Sequence, residues 1–532
     1  MKWDIRNWYT RFTVGLSAAA NLILKVTGVL IFMVLTWYSM RYTQYTEYYN
    51  EVFVNYRDSM LKNLLVLLAA ALIICVLSVL EKNLSDQVCV WVRHILLIAL
   101  SIWIGVCGWL WITSVDRIPL GDQEFVLNGA SYFAQGEYSF LKKGGYYDRC
   151  PQHFGLIALL ELLFRLVGPY NYFTVQIISV GMTVGIGIMG YLLVRCLSDR
   201  TSVAAAYCLL MAACLPMIFY TGWVYGDIPS TFFMLMTAWC LLRYERSRRW
   251  GWLAGVAFGM MMAVLTKQNS LVMLIALGLV IGVYVLVKKD IKLLLGLVIS
   301  ALLTWMAYAG IQIMYQVRSG VELNRAIPAV SYIAMGMQED TYGRCGWYTG
   351  YVNVVYWDAD NDPKLAAEVS WQDIRDRLDI FENDPAYAWQ FYREKVLSQW
   401  NQPLYQSLFF SSRYAGYKGG IDPDPNSIDA RVHEQYREGI LNFCDRIQFV
   451  LYFGLLCYFL FAVKMKSGIL HHVLAVTIIG GFFFSILWEA KARYIFPYYI
   501  MMYPLAVTGI WQAASQAEKS IEWLRVRRNK DM

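Results

Sequence analysis

The sequence predicts an all-α membrane protein with many transmembrane helices. Of its 532 residues, 58% are hydrophobic and 16% are charged, and the mean hydropathy is +0.41. Soluble proteins of ordinary composition carry about 25% charged residues. Apolar runs of about 20 residues, the length that a helix needs to cross a bilayer, recur along most of the chain. Helices are expected because only helices and closed barrels satisfy their backbone groups in lipid.

About twelve stretches match this length and composition. Their boundaries are approximate, because apolar runs grade into polar flanks. The predicted spans lie near residues 12–36, 61–80, 89–113, 171–194, 202–222, 228–243, 250–266, 269–287, 292–315, 447–463, 470–488 and 495–513.

Short clusters of Lys and Arg between the spans indicate their orientation. Cationic loops are retained in the cytoplasm, and with twelve crossings all the clusters fall on one side. The largest are Arg243 to Arg249, Lys288 to Lys292 and the tail from Arg525 to Lys530. The sequence therefore predicts a multi-pass plasma-membrane protein with both termini in the cytoplasm. Because these clusters account for the net charge of +7, no nucleic-acid partner is expected.

Residues 152–168 are apolar but are not counted as a span. They contain Glu161 and Arg165, and a thirteenth crossing would move the cationic clusters at 243–249 and 288–292 outside. We therefore expect a juxtamembrane or half-inserted helix on the outer face. A thirteenth span is the alternative.

This topology divides the chain into four parts. They are residues 1–88 with two additional N-terminal spans, 89–315 with a transmembrane core and its external loop 114–170, 316–446 with a small, mainly helical external cap, and 447–532 with the last spans and a basic tail. The same topology places the polar segments at 225–229, 266–269 and 489–494 on the outer face, beside the loop.

Asp122 is the carboxylate with the clearest functional interpretation. It follows the third predicted span, and the stretch from Glu124 to Gln135 has apolar residues at helical spacing. An amphipathic helix on the membrane surface would place Asp122 at its N-terminus, where backbone N–H groups hold a carboxylate. A plain helix cap is the alternative interpretation, and Asp116 is a rival carboxylate in the same loop.

Lys267 and Arg493 lie where two predicted spans meet with almost no loop. Charges at membrane depth are costly and are usually paired or functional, and arginine can bind a phosphate through two hydrogen bonds. We expect both cations to face an anion, although snorkelling to the interface is the alternative. Asp227 either caps the next span or orients one of these cations.

Other external residues have weaker signals. Gln152 and His153 lie at the mouth of an apolar helix, where they can bind a sugar or a phosphate or simply form a solvated helix end. Trp347 and Tyr348 are assigned to the cap or to an acceptor cleft. A disulfide between the external Cys150 and Cys345 remains open.

Five segments together resemble a known family. In chain order they are Asp122-Gln123-Glu124 followed by Ala130, Ala134 and Gly136, then Cys150 to Leu156, Tyr225 to Pro229, Lys267 to Ser270 and Ala492 to Tyr498. This order is similar to that of the GT-C superfamily of integral membrane glycosyltransferases. The nearest group is the family 39-like set, with protein O-mannosyltransferases and lipid A aminoarabinose transferase. The second segment resembles the Pro-His-Gln element of Gram-positive bacterial members, with the order here Pro-Gln-His.

The resemblance implies a GT-C fold and inverting transfer of a glycosyl group, such as a hexose, from a polyprenyl-phosphate donor. The acceptor would be a hydroxyl of a cell-surface glycan, lipid or protein, and transfer would be extracytoplasmic. It also implies a role for each candidate residue. Asp122 and Glu124 would be catalytic; Lys267, Arg493, Lys491, Gln152 and His153 would bind the lipid phosphate; and Asp227, Tyr225, Tyr494, Trp347 and Tyr348 would bind the sugar or the acceptor.

The need for a metal stays open from the sequence. Some members of the superfamily use a divalent ion, Mg²⁺ or Mn²⁺, and others use none. Asp122, Glu124 and Asp227 offer oxygen ligands for such an ion, but no metal site is predicted.

Two other functions fit a membrane protein of this kind. A flippase or transporter of lipid-linked saccharides should carry ionisable residues near the middle of the bilayer, whereas the charges here gather at one face. An oligosaccharide ligase or polymerase would transfer a whole glycan and is harder to distinguish.

Overall fold

The computed structural model describes residues 5–47, 52–115, 121–323, 326–411, 426–463 and 468–530. Helices account for most of these ranges. The one sheet in the described part of the chain is an antiparallel hairpin of β1 (Tyr42–Glu47) and β2 (Val52–Arg57). The protein is therefore an all-α polytopic membrane protein, as predicted.

The helices vary in length from single turns to more than thirty residues. In chain order they are α1 (Ile5–Ser39), α2 (Met60–Lys82), α3 (Asp86–Ser114), α4 (Asp122–Ala134), α5 (Tyr146–Arg149), α6 (Phe154–Val167), α7 (Tyr172–Leu197), α8 (Thr201–Ala212), α9 (Leu215–Phe219), α10 (Asp227–Ser247), α11 (Trp250–Thr266), α12 (Leu271–Lys288), α13 (Ile291–Ser319), α14 (Ala329–Gly336), α15 (Tyr351–Asp358), α16 (Pro363–Asn383), α17 (Pro385–Trp400), α18 (Ser407–Ser411), α19 (Ile428–Glu434), α20 (Arg437–Cys457), α21 (Val473–Leu487) and α22 (Phe496–Lys530).

Eight helices in the described ranges are long and apolar enough to cross a membrane, namely α1, α2, α3, α7, α12, α13, α20 and α21. The pair α8 and α9, with the turn that follows, is bent by 55° and makes a ninth if it crosses as one span. The break precedes Pro216, whose ring cannot continue a regular helix.

The three remaining predicted spans coincide with α10, α11 and α22, of which α11 is shorter than the eight and α10 and α22 are less apolar. Helix α11 has 17 residues. Helices α10 and α22 pack against each other and against further helices of the bundle. A helix enclosed by protein faces less lipid, so it needs a less apolar sequence than one at the surface.

Helix α6 occupies the apolar segment that was not counted as a span. Its 14 residues reach only about 21 Å at 1.5 Å per residue, less than the roughly 30 Å of a bilayer core. The carboxylate of Glu161 is buried, and it accepts hydrogen bonds from Arg165, Arg318 and the Tyr315 hydroxyl at 2.7, 2.9 and 2.6 Å. These contacts join α6 to α13.

Two glycines bring the polar segments between helices into direct contact. A Cβ atom on Gly155 would lie 2.3 Å from the carbonyl oxygen of Leu265, and one on Gly226 would lie 2.0 Å from that of Thr266. Side-chain atoms cannot approach a backbone oxygen so closely. The starts of α6 and α10 therefore pack directly on the end of α11, which places His153, Asp227 and Lys267 next to one another in space.

We expect Gly155→Ala to destabilise the protein by about 1–3 kcal/mol, because the added methyl group must push the start of α6 away from α11. Thermal unfolding in detergent would show a lower midpoint. Gly251→Ala is the matched control, since a Cβ atom there meets nothing within 4 Å. Equal midpoints for the two variants would contradict the close packing.

Candidate active site

Asp122 and Arg493 form an ion pair that joins the loop after α3 to the segment before α22. Asp122 is the first residue of α4, and Gly121 before it has a φ of +59°, which favours glycine. Nη2 of Arg493 donates to Oδ2 of Asp122 at 2.7 Å. The Asp122 side chain is 41% exposed, whereas that of Arg493 is 7% exposed. The carboxylate thus borders an opening while it stays bound to a buried cation.

Aromatic rings surround the guanidinium of Arg493. Its Cζ atom lies 4.9 Å from the ring centroid of Phe410 and 5.4–5.8 Å from those of Tyr494, Tyr225 and Trp223. Such rings stabilise a cation that has lost its water. Nε of Arg493 has no hydrogen-bond partner among the described residues. The guanidinium therefore retains donor capacity beyond its bond to Asp122.

Lys267 forms a second, fully enclosed ion pair. Its Nζ atom donates to Oδ1 of Asp227, and Nε1 of Trp223 donates to Oδ2 of the same carboxylate at 3.1 Å. Nζ of Lys267 also lies 5.5 Å from the ring centroid of Tyr494, which is the ring that contacts Arg493. Asp227 is the first residue of α10, but Gly226 occupies the N-cap position and no side chain caps the helix. The Asp227 carboxylate binds Lys267 instead, so of the two sequence interpretations the structure supports an orienting role.

His153 is held between two tyrosines. Its Nδ1 atom shares a hydrogen bond with the Tyr146 hydroxyl at 2.8 Å, and its Nε2 atom shares one with the Tyr225 hydroxyl at 2.6 Å. Burial lowers the pKa of His153 to about 4, and the nearby Arg493 and Lys267 act in the same direction. The imidazole is therefore neutral at pH 7, and it positions Tyr225 beside Arg493.

Asp122 is ionised throughout the physiological range. Burial alone would raise the pKa of its carboxyl, but the charges of Arg493 and Lys491 and the hydrogen bond from Arg493 outweigh burial and lower the pKa below its ordinary value. An ionised, partly exposed carboxylate can accept a proton from a group that enters the opening.

Asp122, Arg493, Asp227, Lys267 and His153 form a polar cluster, and Lys491 is its third cation. Its Nζ atom lies 5.0 Å from the ring centroid of Trp347 and 5.7 Å from that of Tyr348. Trp347 is fully buried and its Nε1 atom donates to Oγ of Ser398 at 2.8 Å, whereas Tyr348 is 39% exposed. Tyr348 is thus accessible to a ligand, and Trp347 acts on the site through Lys491.

Two residues of the cluster were missed by sequence reasoning. Glu489 is buried and accepts a hydrogen bond from the Tyr494 hydroxyl through Oε1, and burial raises the pKa of its carboxyl. Oε1 of Gln123 accepts a hydrogen bond from the backbone N–H of Val224 at 3.1 Å, which docks α4 on the segment before α10. Both residues lie next to predicted site residues in the sequence, and this proximity was the only available signal.

Several predicted site residues do not join the cluster. Glu124 is exposed on the face of α4 near Tyr132 and Tyr172, because two residues along a helix correspond to a rotation of about 200°. Gln152 contacts the Tyr332 hydroxyl, at the edge of the cluster. Asp116 lies outside the described residues.

Cys150 and Cys345 both have free thiols, so the disulfide considered from the sequence is not formed. Cys150 contacts Gln152 and Tyr332, whereas the thiol of Cys345 faces Glu394. The two cysteines thus lie in different surroundings.

A metal site was left open from the sequence. Within the described ranges, no three His, Cys, Asp or Glu side chains are grouped so that they could hold a metal ion. The three carboxylates considered for this purpose do not converge, because Asp227 is bound by Lys267 and Glu124 faces away from Asp122.

An apolar cavity of about 200 Å³ adjoins the polar cluster. It lies between α6, α7, α10 and α11, and most of its wall is aliphatic. It shares Trp223, Tyr225 and Thr266 with the surroundings of Arg493 and Lys267. The arrangement thus places an apolar pocket beside the residues that surround the buried cations.

Residues 152–308 match the family model for dolichyl-phosphate-mannose-protein mannosyltransferase. The match covers 157 of the 532 residues. The matched region includes His153, Asp227 and Lys267, whereas Asp122 and Arg493 lie on either side of it.

Two solved structures are similar to the chain at low sequence identity. The archaeal oligosaccharyltransferase AglB from Archaeoglobus fulgidus, in complex with an inhibitory peptide and a dolichol-phosphate, has a TM-score of 0.40 and 14% identity. The match covers 82% of the present chain and 52% of AglB, so the chain spans about half the length of that protein. ArnT from Cupriavidus metallidurans, bound to undecaprenyl phosphate, has a TM-score of 0.33, 15% identity and 77% coverage of each chain. No curated protein sequence matches the chain.

We expect neutral His153 to make the stability of the protein sensitive to acid. Its pKa falls from an ordinary 6.5 to about 4 in the folded state. Between these pH values the unfolded chain binds a proton that the folded chain does not, so stability decreases as the pH falls from 6.5 to 4, by about 3 kcal/mol at most.

Thermal unfolding midpoints measured between pH 7 and pH 4 test this expectation. His153→Gln should show a weaker decrease than the wild type, whereas His94→Gln, at an exposed position on α3, should follow the wild type. Parallel curves for the wild type and His153→Gln would count against the proposed titration.

Proposed function

We propose that the protein transfers a sugar, such as a hexose, from a polyprenyl-phosphate donor to a hydroxyl acceptor on the extracytoplasmic side of a bacterial plasma membrane, with inversion. The observation that carries the proposal is an apolar cavity whose wall includes Trp223 and Tyr225, the rings that contact Arg493, and Thr266, which precedes Lys267. An amphiphile with an isoprenoid tail and a phosphate head matches both features. The name of the matching family, which includes a lipid-phosphate sugar, supports the same donor class.

Each part of the donor has a counterpart in this geometry. The isoprenoid chain would lie along the aliphatic wall formed by α6, α7, α10 and α11. The phosphate would bind Arg493, which keeps an unpartnered Nε atom, with Lys267 and Lys491 nearby. Cations held in place before the reaction stabilise the negative charge that develops on a leaving phosphate. Gln152 remains a further candidate at the edge of this region.

Asp122 is the proposed general base. As the acceptor oxygen forms a bond to the anomeric carbon, its proton passes to the Asp122 carboxylate and the bond between that carbon and the phosphate oxygen breaks. The electron pair leaves with the lipid phosphate, which gains a negative charge beside Arg493. Attack opposite the leaving group in a single step inverts the anomeric centre. Because Arg493 contacts Asp122 directly, base and leaving group lie on either side of the same guanidinium.

The tyrosines around the cluster are proposed to contact the sugar or the acceptor. Tyr225 and Tyr494 pack on Arg493, and Tyr348 is exposed beside Lys491. Asp227 and Trp347 are proposed to act indirectly, since Asp227 holds Lys267 and Trp347 contacts Lys491.

The direction of α10 and α12 supports an extracytoplasmic site. Helix α10 starts at the cluster with Asp227 and reaches Arg243 to Arg249 about 30 Å further on. Helix α12 begins just after Lys267 and ends at Lys288. The cationic loops thus lie at the opposite ends of these helices from the site. Because such loops stay in the cytoplasm, the cluster would face outside.

We expect Asp122→Asn to lower the rate of transfer by at least about 100-fold, because the amide cannot take the proton of the acceptor. Glu124→Gln should keep most of the activity, since Glu124 faces away from the cluster. Transfer from a radiolabelled undecaprenyl-phosphate sugar in proteoliposomes would measure both. Full activity of Asp122→Asn would remove this residue from the mechanism. If the protein were instead a flippase, the variant would still transport labelled lipid across the membrane.

We expect Val175→Phe to raise the KM for a donor with a full-length polyprenyl chain, because the larger side chain fills part of the apolar cavity. A donor with a chain of only two or three isoprene units should be affected less. Ile177→Phe is the matched control on α7, because Ile177 is 41% exposed and does not line the cavity. An equal effect of both variants on both donors would contradict the proposed path of the lipid.

A further inference from the structure

The β1–β2 hairpin between α1 and α2 is fixed to the end of α17. The backbone N–H of Gln44 donates to the carbonyl oxygen of Asn401 at 3.1 Å, and the side-chain amide of Asn401 donates to the carbonyl oxygen of Tyr42. Within the N-terminal segment, the Thr43 hydroxyl donates to the Asp58 carboxylate at 2.9 Å. These bonds hold the hairpin in one position relative to α17.

One hairpin residue, Phe53, contacts Trp347 beside the candidate active site. The ring of Phe53, on β2, meets Trp347 edge to face with centroids 4.6 Å apart. Edge-to-face pairs of aromatic rings contribute stability beyond their buried area. Trp347 is also held from α17, because its indole N–H donates to the Ser398 hydroxyl at 2.8 Å. The indole is thus fixed by the hairpin and by the helix on which the hairpin is anchored.

The indole of Trp347 in turn contacts a cation of the candidate active site. Nζ of Lys491 lies 5.0 Å from the centroid of the Trp347 ring, within the range of a cation–π interaction. The two strands of chain also pair, since the backbone N–H of Ala490 donates to the carbonyl oxygen of Gly346 at 2.7 Å. Lys491 is 8% exposed, so its ammonium group lies inside the protein beside that ring.

From this chain of contacts we infer that the N-terminal hairpin is a working part of the active site, in which Phe53 positions Lys491 through Trp347. The inference rests on the proposed function, in which Lys491 contributes charge to the site of the donor phosphate. Phe53 is a positioning residue, since it touches neither donor nor acceptor. Phe53, Trp347 and Lys491 all lie outside residues 152–308, so the family match does not include these contacts.

The physical reason is the freedom of a lysine side chain. Lysine has several rotatable bonds, and fixing its ammonium group costs conformational entropy. A fixed indole supplies a surface on which the ammonium group is already in place before the donor arrives. Without Phe53 the indole can tilt, and the ammonium group must be ordered at the expense of donor binding.

The test is a double-mutant cycle between Phe53→Ala and Lys491→Met, with transfer measured at varied donor concentration and saturating acceptor. We expect Phe53→Ala to lower kcat/KM for the donor about 5- to 20-fold and to leave the KM for the acceptor unchanged. In the Lys491→Met background the same substitution should change donor kcat/KM less than 2-fold, because the group that it positions is gone.

Tyr56→Ala is the matched control. Tyr56 is an aromatic residue of the same strand whose side chain points to the other face, since side chains alternate along a strand. It should change donor kcat/KM less than 2-fold. Phe53→Tyr, which keeps the ring, should restore most of the activity, and Phe53→Leu replaces Phe53→Ala if the alanine variant does not fold.

Two outcomes would overturn the inference, and they are distinguishable. Equal losses from Phe53→Ala in the wild-type and Lys491→Met backgrounds would show that Phe53 acts on general stability and not on Lys491. Wild-type donor kinetics for Lys491→Met would contradict the role of Lys491 in the proposed function itself, and the inference would fail with it.

Discussion

The ion pair between Asp122 and Arg493 is the contact on which the site depends. The two residues are 371 positions apart, and each belongs to a short segment at the end of a long helix. Breaking a pair of this kind leaves a buried charge without a partner, which costs several kcal/mol. The pair therefore holds the start of α4 and the segment before α22 together. The other cations collect around this junction, where aromatic rings replace water.

Close packing of backbone explains how segments from four parts of the chain fit into so small a region. Gly155 and Gly226 allow the starts of α6 and α10 to rest on the carbonyl oxygens at the end of α11. Any side chain at these positions would separate His153, Asp227 and Lys267. The tyrosines then bridge the remaining gaps, as Tyr225 does between His153 and Arg493. Glycines thus allow short distances between these segments, and polar side chains form hydrogen bonds across them.

Much of this arrangement can be predicted from the sequence, because the hydropathy of a segment depends only on its own residues. All the predicted spans coincide with helices, and Lys267 and Arg493 stand out because they are charges placed where two apolar segments meet. The number of helices apolar enough to cross on their own is smaller than predicted, since α10 and α22 are enclosed by protein. Burial of this kind depends on neighbours that a single segment does not reveal.

The partners within the site were harder to predict, since they come from distant parts of the chain. Glu124 is adjacent to Asp122 in the sequence but lies on another face of the same helix. Trp347 is assigned from the sequence to the cap or to an acceptor cleft, yet it is fully buried and contacts Phe53 of the N-terminal hairpin. The place of Glu489 in the site becomes evident only in the folded chain, where the Tyr494 hydroxyl donates a hydrogen bond to its carboxylate. Each of these features is a property of the folded chain.

The late position of Arg493 has a consequence for biosynthesis. The residue follows Asp122 by 371 positions, so it leaves the ribosome after helices α4 to α21 have been made. Until then no guanidinium lies beside the carboxylate of Asp122, or among the aromatic rings that surround Arg493 in the folded protein. Nascent chains halted before residue 493 would thus lack this ion pair, and the proposed active site would be complete only once the segment before α22 has been made.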